Sequence, residues 1–230
     1  MEGTNAFQDR EEAGRLLAER LLTYRADPSA IVVALPRGGV IVGYVISQAL
    51  HVPLEVFLSR KLGAPGNPEY AIGAITETGS IYYNQEAFRM GGLSTVGQYV
   101  DEIIQAQRDA ITRLQDLYRS GRPLQDLKDR TVLLVDDGVA TGATFLAAVE
   151  ALRTLQVCRL VAAIPVGPEE TLARIAAAVD ALVVLSVPEP FAAVGNHYAS
   201  FQQVSDEEVV RCLPRRAPTG NVHPKFENGH

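Results

Sequence analysis

The 230-residue chain is 47% hydrophobic and 21% charged, with a formal net charge of −6, which describes a globular protein able to bury a core rather than a disordered one. The acidic balance excludes a broad basic face for nucleic acid, and Cys158 and Cys212 are too few and too far apart for a disulfide framework or a CxxC site. No window approaches the roughly 18 apolar residues of a membrane span, and the acidic N-terminal stretch lacks the apolar core of a secretory signal, so the expected location is cytoplasmic.

Residues 9–24 place Ala13, Leu16, Leu17, Leu21 and Tyr24 at helical spacing, with Asp9 as N-cap. IVVAL at 31–35 then reads as a strand buried on both faces. PRGGV interrupts it, a helix runs from Val40 to Leu50, and LEVFL at 54–58 is the second strand of a βαβ unit. Residues 60–80 are rich in Gly, Pro and Asn and predict a mobile loop leading into a small hairpin with IYYN.

Between Thr95 and Arg119 the apolar residues line one stripe of a long helix, ended by Gly121 and Pro123. VLLV at 132–135, LVAAIPV at 160–166 and ALVVLSV at 181–187 are further strands, separated by helices over 142–155 and ETLARIAAAV. Strands alternating with helices predict an α/β fold, a mostly parallel central sheet with helices on both faces. The expected organisation is one domain over 1–213, with a flexible loop and hairpin at 60–83, a hood segment at 188–209 and a disordered tail at 214–230.

Chemistry concentrates in VLLVDDGVATGAT, residues 132–144. Two adjacent carboxylates repel, so Asp136 and Asp137 gain little as a mere turn. At the carboxyl end of a parallel strand they stand where ligands bind in open α/β sheets. Ala140, Thr141, Gly142, Ala143 and Thr144 follow as a loop of small and hydroxyl residues entering a helix, where backbone N–H groups favour an anion. One ligand that satisfies both parts is a sugar phosphate. The plainer alternative is a strand end followed by a helix capped by Thr141. A nucleotide P-loop would need Lys before Thr144, where Ala143 stands, and the spacing of a dinucleotide fingerprint is absent.

This stretch resembles the ribose-phosphate signature of the type I phosphoribosyltransferases. ALPRGGV at 34–40 is similar to that family's pyrophosphate loop, which implies roles for Arg37, Gly38 and Gly39 and a cis peptide in the turn. RKLGAPGNPEYAIGAITETG, with PEPFAAVGNHYASFQQVSDEEV, resembles a subgroup of stand-alone phosphoribosyltransferases. The likeness spans roughly residues 9–213.

The resemblance implies displacement of pyrophosphate from 5-phosphoribosyl 1-diphosphate by an acceptor, commonly a nitrogenous base, with Mg²⁺ bound mainly through the substrate. Asp136 and Asp137 would hold the ribose, residues 140–144 the 5-phosphate, and Arg37 with Lys61 the leaving diphosphate, Arg60 standing beside them. The partners implied are that donor and a small-molecule acceptor, with a homodimer left open. Ala140 replaces the Asp that 6-oxopurine enzymes of the family use, which turns the expectation away from a 6-oxopurine. Glu69 and Glu77 are the alternative proton-transfer candidates, and Phe191, His197 or Tyr198 the candidates to stack on a base. A sensor that binds the same ligand without turnover is the alternative function; the four histidines show no metal-ligand spacing.

Overall fold

The computed structural model describes residues 6–84 and 97–213. Helix α1 (Arg10–Arg20) starts where Asp9 accepts the Glu12 amide at 2.8 Å, the cap the sequence predicts. Strand β1 (Ala30–Ala34), helix α2 (Gly38–Leu50) and strand β2 (Leu54–Val56) follow as the βαβ unit. The later elements are α3 (Gly97–Arg119), β6 (Thr131–Val135), α4 (Ala143–Thr154), β7 (Arg159–Val166), α5 (Glu169–Ala176), β8 (Ala181–Ser186) and α6 (Asp206–Cys212).

The central sheet is parallel throughout, in the order β2-β1-β6-β7-β8. Its strands are continuous apolar runs because both faces are covered. Alternation along β1 divides one strand between two cores. Val32 and Ala34 pack with Leu17 and Ile46 on the α1 and α2 side, whereas Ile31 and Val33 pack with Phe145 and Leu152 of α4. Phe145 is fully buried, so truncation to Ala would cost about 3–5 kcal/mol.

Residues 59–83 depart from the expected loop. Ser59–Ala64 is itself a strand, β3, paired antiparallel with β4 (Asn67–Thr76), which pairs in turn with β5 (Ile81–Tyr83). Pro65 and Gly66 turn the chain between β3 and β4, Gly66 at φ 72° taking the left-handed conformation that glycine adopts without strain. The glycines and prolines that obscure the strand pattern are thus turn and bulge residues of a three-stranded sheet, whose Leu62, Ile72 and Ile75 join the core with Val100 and Ile104 of α3.

Helix α6, within and just beyond the expected hood segment, was not anticipated as a helix. Its signal is the capping box of Ser205 and Glu208, each side chain bonding the other's backbone amide. The expected tail at 214–230 lies outside the described residues.

Candidate active site

The acid pair leaves β6 next to the turn that leaves β1. The Leu35 amide donates to the Val135 carbonyl at 2.9 Å, which ties the two strand ends together. The turn then runs directly over the acids: a Cβ on Gly39 would stand 2.8 Å from the Asp136 Cα, and one on Gly38 would stand 1.8 Å from Asp137 Oδ2. Only glycine at both positions lets the backbone approach that closely. The Pro36–Arg37 peptide bond is cis.

The two carboxylates have different surroundings. Asp137 Oδ2 accepts from Arg10 Nε at 2.7 Å, with the two side chains only 15% and 11% exposed, while the Asp137 carbonyl accepts from the Tyr198 hydroxyl at 2.6 Å. Asp136 Oδ1 accepts the Asp137 amide at 2.8 Å. Asp136 is half-buried and crowded by protein atoms; burial above all, and then the neighbouring Asp137 carboxylate, hold its pKa well above the usual range.

The loop that follows the acids leads into α4. Gly142 is the N-cap, at φ 71°; the expected cap, Thr141, is instead exposed on the loop. Thr171 donates to the Ala140 carbonyl at 2.7 Å and Ser59 to the Thr144 carbonyl at 3.0 Å, so two side chains from other elements fix the loop and the first turn of α4. The first amides of α4 have no intrahelical acceptor, which leaves them as donors at the positive end of the helix.

Beside the β1 turn lies a cleft of about 400 Å³ whose lining includes Arg37, Ser59, Arg60, Tyr118 and Asp206. Arg37 comes within 3.9 Å of Asp206, and Tyr118 donates to the same carboxylate at 2.5 Å. Burial, then the bond to Asp206, push the Tyr118 hydroxyl pKa up. Arg60, whose Nε bonds Gln107 at 2.9 Å, lines this cleft. Arg37 and Arg60 both line this cleft, and Lys61 is the next residue of β3.

Residues 5–190 match the profile of the phosphoribosyl transferase domain. The chain belongs to the phosphoribosyltransferase family. It is 40% identical over 209 residues to the Mycobacterium tuberculosis protein named "Putative phosphoribosyl transferase", covering 91% of this chain and 46% of that protein. The chain thus spans less than half the length of that curated relative. The crystal structure of TT1426 from Thermus thermophilus is 42% identical, with a TM-score of 0.74 over 90% of this chain and 97% of that one.

Several expectations drawn from the phosphoribosyltransferase resemblance need correction. Glu77, a proton-transfer candidate, is 3% exposed at its side chain and ion-paired with Arg119, and it also accepts the Leu58 amide at 2.8 Å. It anchors the end of β4 to α3 and has no path to a ligand. The side chain of Glu69 lies outside the described residues. Tyr198 is buried, packed against the Phe7 and Phe201 rings, and bonded to the Asp137 carbonyl, so it supports the acid pair instead of stacking on a base. Phe191 and His197 stack on each other at 5.3 Å between ring centroids.

Arg10 and Asp206 are the site residues that no motif marked. Arg10 reads as an exposed position in the first turn of α1, and Asp206 as an acidic residue at a helix start; their long-range partners belong to tertiary structure alone.

Proposed function

We propose that this phosphoribosyltransferase domain transfers the 5-phosphoribosyl group of 5-phosphoribosyl 1-diphosphate to a nitrogenous base, releasing pyrophosphate. One observation carries the reading. The acid pair with the glycine turn packed on it, and the loop that leads from the acids into the amide end of α4, stand at the carboxyl end of β6, an order that suits a ligand with hydroxyls at one end and a phosphate at the other.

In this reading Asp136 accepts hydrogen bonds from ribose hydroxyls. The loop 140–144 receives the 5-phosphate through its backbone amides and the Thr141 and Thr144 hydroxyls. Arg37, the Gly38 and Gly39 backbone, and Arg60 face the diphosphate. As the bond from C1 to the diphosphate breaks, negative charge grows on the leaving group, and the guanidinium groups stabilise it more than they stabilise the ground state. Lys61, the next residue of β3, is a further candidate for the same anion. Positioning of donor and acceptor supplies the rest of the rate.

Among the described residues no group of three His, Cys, Asp or Glu side chains is arranged to hold a metal. Two adjacent carboxylates fit Mg²⁺ that keeps its waters and binds through substrate oxygens. When bound, Mg²⁺ would offset charge on the diphosphate. No helix of the described residues is long and apolar enough to cross a membrane.

The test is a melting experiment. Mg²⁺ with 5-phosphoribosyl 1-diphosphate at a hundred times its Kd should stabilise the protein by about 2.7 kcal/mol, and joint Asp136→Asn and Asp137→Asn should abolish the shift. A panel of nitrogenous bases then identifies the acceptor by pyrophosphate release. Binding without release for every base would instead support a sensor.

A further inference from the structure

The two carboxylates of the acid pair are held in different ways. Arg10 approaches Asp137 from the first turn of α1, and three contacts fix its guanidinium. Nε donates to Asp137 Oδ2 at 2.7 Å, NH1 donates to the Gln202 carbonyl at 2.8 Å, and the plane lies 3.8 Å from the centroid of the Phe201 ring. Tyr198, its ring tilted against that same Phe201, donates its hydroxyl to the Asp137 carbonyl. Asp137 is thereby held through its side chain and its backbone. Asp136, by contrast, is bonded locally: its Oδ1 accepts the Asp137 amide at 2.8 Å.

We propose that Arg10 is a positioning residue of the ribose site, neutralising Asp137 so that Asp136 is the carboxylate presented to the sugar. This rests on the phosphoribosyltransferase reading above. The physical need follows from adjacency: with Arg10 absent, two neighbouring carboxylates in a crowded site would share a proton, and a protonated Asp136 is a poorer acceptor for a hydroxyl. Burial above all, and then the Asp137 charge, raise the Asp136 pKa, and the Arg10 guanidinium works in the opposite direction. Arg10 also joins α1 to the segment 198–202, so the site's sugar end is closed by residues far apart in sequence.

A binding and melting series on the full chain tests this, with 5-phosphoribosyl 1-diphosphate and Mg²⁺ as the probe. Asp136→Asn should weaken binding by about tenfold or more, the loss expected for a charge-assisted hydrogen bond, whereas Asp137→Asn should cost about threefold or less. Arg10→Met should cost about tenfold. Adding Asp137→Asn to Arg10→Met should then restore binding to near that of Asp137→Asn alone, because the uncompensated charge has been removed.

If the double variant binds no better than Arg10→Met while melting cooperatively, Arg10 acts through shape and the proposal falls. It falls equally if Asp137→Asn is as damaging as Asp136→Asn. Failure of the parent protein to bind the probe would refute the functional reading instead. The Arg10–Asp137 coupling would still be read without ligand, from the melting temperatures of the four proteins, and purely additive shifts would overturn it.

Discussion

The backbone of Gly39 runs so close to Asp136 that a Cβ at position 39 would stand 2.8 Å from the Asp136 Cα and 3.0 Å from the Val135 carbonyl oxygen. Those neighbours are backbone and cannot swing aside. Gly39→Ala is expected to push the β1 turn off the end of β6, destabilising the protein by about 1–3 kcal/mol as other overpacking substitutions do. Loss of the ligand-induced rise in Tm, at a temperature where the variant is still folded, checks that the displaced turn is the one that binds.

Asp136 should be a residue at which function opposes stability. Its pKa is raised in the folded protein, so folding favours its protonated form, and this contribution is fully present below the ordinary carboxylate range and lost as pH rises through the folded value. Asp136→Asn keeps an acceptor for the Asp137 amide and removes the charge. The variant should melt higher than the parent at neutral pH, with the gain shrinking as pH falls through the carboxylate range. Melting curves at several pH values check the sign; a constant difference across the range would contradict it.

Asp206 stands 3.9 Å from Arg37 in the cleft where the diphosphate is proposed to bind. Both side chains are partly exposed, so their pairing is weak and readily exchanged. Asp206→Asn should free Arg37 for the anion and tighten binding of 5-phosphoribosyl 1-diphosphate by about two- to fivefold, the scale of an exposed ion pair. The gain should fade as salt is raised. Titration calorimetry at two ionic strengths measures both effects.

The Glu77–Arg119 pair is almost wholly buried, and Arg119 Nε and NH1 find no acceptor among the described residues. Arg119→Met would strand the Glu77 carboxylate in the core, at an expected cost of about 3–5 kcal/mol. Adding Glu77→Gln should recover much of that loss, since desolvation offsets most of what a buried pair contributes. Denaturant unfolding of the three variants gives the comparison.

The parallel sheet was legible because its strands are unbroken apolar runs with helical patterns between them, and VLLVDDGVATGAT was legible because its residue types and spacing are local. Ser59–Ala64 was not, because its strand carries Arg60, Lys61 and Gly63 beside a Pro-Gly turn, and alternation is faint in so short a run. The partners of the acids were hidden for another reason. Arg10 lies 127 positions from Asp137 and Tyr198 lies 61, and nothing in helix periodicity says which arginine on a surface will meet a distant carboxylate. Glu77 shows the converse: its place in a Gly-rich stretch suits an exposed acid, and only the packing of α3 shows it to be an anchor.

The segment that braces Asp137 has a consequence for synthesis. All five strands of the central sheet are complete by Ser186, whereas Tyr198 and Phe201 emerge afterwards. A growing chain can therefore bring out every strand of its sheet before the arginine clamp has its aromatic backing, and the sugar end of the site waits on residues that follow the sheet.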